Sequence, residues 1–88
     1  MNLESLIPSL KIKERYMIPK YIQLADGLHN LIKSGVIKEH EMMPSLHELS
    51  TKLEISKKSV EKAYDFLKDK GIVISVRGLG HFATGKVV

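Results

Sequence analysis

The sequence predicts a mainly α-helical domain in which three short helices are followed by a small β-hairpin. Three observations predict it. Apolar residues recur at helical spacing from Tyr21 to Ile32 and again from Leu46 to Leu67, interrupted by capping signals. The stretch "IVISV" after Gly71 is short and β-branched, which favours strand over helix. "RGLG" then supplies turn residues, and "HFAT" returns as a second strand.

The elements follow in order. Residues 1–18 read as an N-terminal arm: Leu3, Leu6, Ile7 and Leu10 have helical spacing, but Pro8 interrupts it. Leu10, Ile12, Tyr16 and Ile18 then alternate loosely, as an extended segment does. From Pro19 the pattern sharpens. Tyr21, Leu24, Ala25, Leu28, Leu31 and Ile32 line one face of a first helix over about 19–34. Pro19 suits its first turn and Gly35 the left-handed position that ends it. Met42 and Met43 before Pro44 read as a short extended piece.

Ser45 and Glu48 form S-x-x-E, a capping box that opens a second helix over about 45–53, with Leu46, Leu49 and Leu53 as its apolar stripe. Ser56 is a good N-cap for a third helix, whose buried face is Val60, Ala63, Tyr64 and Leu67 and which Gly71 ends. Two short helices across a tight turn, the second with a basic N-terminus, make a helix-turn-helix. The domain proper thus covers residues 19–84, and 85–88 form a short tail.

Charge narrows the partner. The net charge of +4 favours a polyanion, and its placement says more than its size. Residues 56–70 carry five lysines against Glu61, Asp65 and Asp69, whereas residues 35–55 are slightly acidic. Other classes fall away. At 88 residues there is room for one domain, and no apolar stretch approaches the roughly 20 residues of a membrane helix. The absence of cysteine removes disulfides and thiol nucleophiles and agrees with a cytoplasmic location. His29, His40, His47 and His81 lack the paired spacing of a metal site, and no nucleophile-elbow pattern is present. Neither enzymatic activity nor a cofactor or metal is expected.

The glycines of "VRGLGH" admit two readings. A phosphate-binding loop requires a helix directly after it, so that amides and dipole face the anion. Here a strand follows Gly80, so the stretch is the tip of a hairpin with Arg77 at its base. A hairpin directly after a helix-turn-helix is a wing. The predicted architecture is a winged helix-turn-helix.

"IPKYIQLADGLHNLIKSG", "MPSLHELSTKLEISKKSVEKAY", "LKDKGIVISV" and "RGLGHFA" stand in the order and spacing of one family. From Pro19 to Ala83 the chain resembles the winged helix DNA-binding domain of GntR-type bacterial transcription regulators. The resemblance implies sequence-specific binding to a double-stranded DNA operator, with the third helix in the major groove and the wing at the minor groove. Its implied contacts are His47 from the second helix, Ser56, Lys57, Lys58, Ser59, Glu61 and Lys62 from the third, and Arg77 and Gly78 from the wing. His47 stands where the family commonly has arginine, Lys58 where it has threonine, and Glu61 where arginine is frequent, so an operator other than the commonest is expected. The family also implies a homodimer on DNA, held mainly by a C-terminal effector-sensing domain. Only "GKVV" follows Thr84, so the chain is expected to be the DNA-binding fragment of a longer regulator, such as a repressor, with a truncated stand-alone protein as the alternative.

Each implied contact has a plainer reading. Lys57, Lys58 and Lys62 are also what an ordinary solvated helix face carries, and His47 what a polar surface carries. Glu61 has Lys57 and Lys58 at ion-pairing distance along a helix. Tyr21 and Tyr64 fall at core spacing and are expected to pack rather than to stack on bases. The alternative function is a winged helix that meets an acidic protein partner.

Overall fold

A computed structural model describes residues 12 and 17–85. The irregular pattern around Pro8 lies outside the described residues, as do residues 86–88. Of the arm, Ile12 is described and packs, partly buried, against the core.

Helix α1 spans Lys20–Lys33. Pro19 stands one place earlier than expected, at the N-cap, where its carbonyl accepts from the amides of Ile22 and Gln23 at 3.1 and 3.2 Å. Gly35 ends the helix at φ 83°, and its amide bonds to the Ile32 carbonyl. Leu24, Ala25, Leu28 and Ile32 form the buried stripe.

Helix α2 spans Leu46–Leu53, with the Ser45 hydroxyl accepting from the Glu48 amide at 3.0 Å. Only this serine half of the box is made among the described residues. The helix ends on Glu54, a non-glycine residue at φ 56°, while the Ile55 amide reaches back to the Ser50 carbonyl. That left-handed residue makes the turn of the helix-turn-helix.

Helix α3 then runs Lys57–Asp69 from the Ser56 cap, whose hydroxyl accepts from the Ser59 amide at 3.1 Å. Its stripe of Val60, Ala63, Tyr64 and Leu67 meets α1 on one side and α2 on the other, and Leu28, Leu49 and Ile72 complete a dry centre.

Strands β1 (Val73–Val76) and β2 (Gly80–Ala83) pair antiparallel, Val73 opposite Ala83 and Val76 opposite Gly80. β2 has a second neighbour. The amides of His40 and Met43 donate to the carbonyls of Ala83 and His81, each at 2.8 Å, and the Ala83 amide donates to Glu41. Met42 bridges Phe82 in the same antiparallel sense, so the short extended piece before Pro44 is a rudimentary third strand. It ties the start of the helix-turn-helix to the wing.

Alternation along β2 decides which side chains face the helices. Val73 and Ala83 are buried beneath the hairpin, and His81 lies on their side. Phe82 lies on the other, paired with Ile74 and Met42, both about half exposed. The sequence suggests Phe82 as the ring that seats the wing on Tyr64 or Leu67. Here the structure differs: the ring on Tyr64 is that of His81, because the pleat turns Phe82 outward.

Candidate nucleic-acid interface

The first turn of α3 is fixed by Ser56. Its hydroxyl caps the Ser59 amide and also lies 3.0 Å from the Ser59 hydroxyl, which sets Lys57 and Lys58 on the exposed side of that turn. A groove of about 540 Å³ opens beside it. His47 and Glu48 of α2, Lys57 of α3, and Leu79, Gly80 and His81 of the wing all line it. The structure thus brings His47 and Lys57 to one cleft. Arg77 and Gly78 stand outside that lining, exposed in the three-residue turn that joins the strands.

The turn is shaped by glycine. Gly78 adopts φ 83° and Gly80 φ 131°, both in the region disfavoured for other residues. The Leu79 amide closes the reversal on the Val76 carbonyl at 3.0 Å, leaving the Leu79 side chain 64% exposed at the tip.

The lysines of α3 divide into two sets. Lys68 pairs with Asp65 at 3.3 Å, Lys70 lies 4.5 Å over the Phe66 ring, and Lys62 lies 5.8 Å over the Tyr21 ring of α1. Lys57, Lys58 and Arg77 have no such engagement among the described residues. Glu61 is exposed and makes no ion pair with Lys57 or Lys58. Among the α3 lysines and Arg77, those without such engagement among the described residues thus sit at the start of α3 and at the wing tip.

Behind this surface is a feature absent from the list of residues implied by sequence. Tyr64 is fully buried and its hydroxyl donates to the Pro44 carbonyl. Burial, with the Glu48 carboxylate second, pushes its ionisation well above the ordinary tyrosine range. The His81 ring stacks on it at 4.4 Å between centroids and 19° between planes. Partial burial, with Lys68 second, lowers the His81 pKa, while Asp65 opposes the shift. The signal for His81 was its position: two residues before the buried Ala83, it shares the inner face of β2.

Among the described residues, no cluster of three or more histidines and carboxylates is placed to hold a metal ion, and no helix is long and apolar enough to cross a membrane.

A helix-turn-helix followed by a hairpin, with free cations at the start of its second helix and at the hairpin tip, defines a winged helix DNA-binding domain. Residues 20–82 match the family described as bacterial regulatory proteins, gntR family, and the chain belongs to that family.

Among solved structures, YtrA from Sulfolobus acidocaldarius, a GntR-family transcription factor, superposes with a TM-score of 0.81 at 32% identity, over 89% of this chain and 82% of that one. The AraR DNA-binding domain in complex with operator ORX1 gives a TM-score of 0.78 at 28% identity, over 85% and 96% of the two chains. The HTH-type transcriptional repressor YtrA of Bacillus subtilis is 32% identical over 83% of this chain and 56% of its own length. The arabinose metabolism transcriptional repressor of Geobacillus stearothermophilus is 31% identical over 76% of this chain. This chain spans 18% of that relative's length.

Proposed function

We propose that this domain binds a duplex DNA operator with the first turn of α3 in the major groove and the wing tip at the adjoining minor groove. One observation carries the reading: among the described residues Lys57, Lys58 and Arg77 have no ion pair or cation–π contact, while the other α3 lysines are engaged within the fold. A cation held away from local carboxylates is available to a phosphate or a base edge. The AraR DNA-binding domain, similar in fold, is solved in complex with operator ORX1, which supports operator DNA as the partner.

Roles divide by chemistry. Lys57, with His47 across the groove, suits phosphate; Ser56 and Ser59 offer hydroxyls to either backbone or bases. Lys58 and Glu61 face outward where base edges lie, the carboxylate suited to the cytosine amino group. Lys62, held over Tyr21, is placed to flank the groove rather than to enter it. Gly78 lets the wing backbone approach phosphate closely, and Arg77 suits the negative potential of a narrow minor groove.

The domain acts as the reader of a bacterial transcription regulator in the cytoplasm. It binds as a homodimer on a two-part site, held together mainly by a further effector-sensing region. Selection of duplexes from a randomised library by the chain, followed by salt-titrated fluorescence anisotropy, tests the reading. A recovered motif bound in preference to its shuffled version supports it; enrichment of no sequence overturns it.

A further inference from the structure

The distal half of the wing has little to rest on. Ser75, Arg77, Gly78 and Leu79 are exposed, and Phe82 lies on the outer face. What packs this half against α3 is the His81 ring on Tyr64. The contact is one side of a closed circuit. The Met43 amide holds the His81 carbonyl, Pro44 follows Met43 in the chain, and the Pro44 carbonyl accepts from the Tyr64 hydroxyl. Tyr64 then carries the His81 ring. The lead-in to α2, the recognition helix α3 and the wing are thereby fixed to one another at a single point.

We propose that His81 is a positioning residue for the wing, holding Arg77 at the offset from the first turn of α3 at which both reach one duplex. The proposal rests on the DNA-binding reading above and adds a specific dependence to it. The contribution of Arg77 to binding requires an aromatic ring at position 81 on Tyr64. Aromatic faces in offset contact supply an attraction beyond the area they bury, and a flat ring on a buried ring restricts rotation of the strand that bears it.

The test is a double-mutant cycle on a duplex selected by the parent chain, prepared with A·T and with G·C flanks. The parent is expected to prefer the A·T flanks about tenfold, the scale of a single contact of about 1.4 kcal/mol. Arg77→Ala should abolish that preference. His81→Ala should abolish it as well while still discriminating the selected core from its shuffled version. The double variant should then bind no more weakly than either single one, because the two residues act as a unit. His81→Phe, which keeps a ring on Tyr64, should restore the preference.

The outcomes are separable. A parent indifferent to its flanks overturns the wing reading and this proposal with it. A parent preference that survives in His81→Ala, or that disappears in His81→Phe, overturns only the proposal. Loss of core discrimination together with flank preference in His81→Ala also overturns it, since position 81 then serves the fold as a whole.

Discussion

The Tyr64 hydroxyl, buried in α3, donates to the carbonyl of Pro44, the residue just before the cap of α2. That bond joins the two helices of the helix-turn-helix at the end opposite their connecting turn. It explains why a phenol, rather than a leucine of similar burial, is stable at the centre of this core: its polar tip has a partner. Tyr64→Phe leaves the ring and removes the donor, stranding a buried carbonyl at about 1–3 kcal/mol. The midpoint of urea denaturation should fall accordingly, with the slope unchanged.

Alkaline pH should act through the same group. Its folded pKa is raised by burial, so the neutral phenol contributes stability that is fully present below the unfolded value of about 10 and is lost as pH rises beyond it. The urea midpoint of the parent should drop between about pH 9 and about pH 11. Tyr64→Phe should show a smaller drop over that interval, and an equal drop would assign the effect to other groups.

Acid should destabilise the domain through two histidines. Both have lowered folded pKa values: His29 through burial, then Lys33 and Lys70, against Asp26; His81 through burial, then Lys68, against Asp65. Nε2 of His29 is buried without a hydrogen-bond partner among the described residues, so protonation places a charge where nothing receives it. For a base with a depressed folded pKa, stability is complete above the unfolded value of about 6.5 and decreases as pH falls through the interval down to the folded value. Urea midpoints at about pH 7.5 and about pH 5.5 should differ in the parent. The difference should shrink in His29→Gln.

The two sets of lysines should separate in salt titrations. Each phosphate neutralised contributes about 0.9 to the fall of log K with log salt. Lys57→Ala and Lys58→Ala should each weaken binding, and a purely phosphate-contacting lysine should reduce the slope by about 1. Lys62→Ala should change it less, because that amine is already placed over Tyr21. Parent-like slopes in both the Lys57 and the Lys58 variants would remove α3 from the interface.

Glu61 should affect which base is preferred more than how tightly DNA is held. An unpaired carboxylate near phosphates repels them unless it accepts a hydrogen bond, and the cytosine amino group is the base-edge donor suited to it. Glu61→Gln should alter discrimination at one operator position by about 1–3 kcal/mol. Uniformly tighter binding to every sequence would mean that Glu61 repels and reads nothing.

Much of this molecule is legible in its sequence because its signals are local. The Ser45 and Ser56 caps, the glycines at 35 and 71, and the apolar stripe of α3 each act within one turn of helix, and each stands where the spacing predicts. The left-handed Glu54 escapes such reading, since its residue type does not demand that conformation and the packing of α2 on α3 imposes it. The third strand escapes because one bridge, Met42 to Phe82, is a tertiary event. Residue type pointed to Phe82 as the anchor of the wing, whereas strand alternation and the fully buried Ala83 select His81. The engagement of Lys62 was hidden for a related reason: it depends on Tyr21 from another helix.

Under the proposed function the start of α3 reads sequence in a duplex. Its most direct test compares the affinity of the parent chain for its selected duplex with that for a shuffled duplex of equal length and composition, at several salt concentrations. Tighter binding to the selected duplex is expected throughout, with a gap that persists as salt rises and that narrows when Lys58 is replaced by alanine. Equal affinities for the two duplexes, falling together with salt, would contradict it.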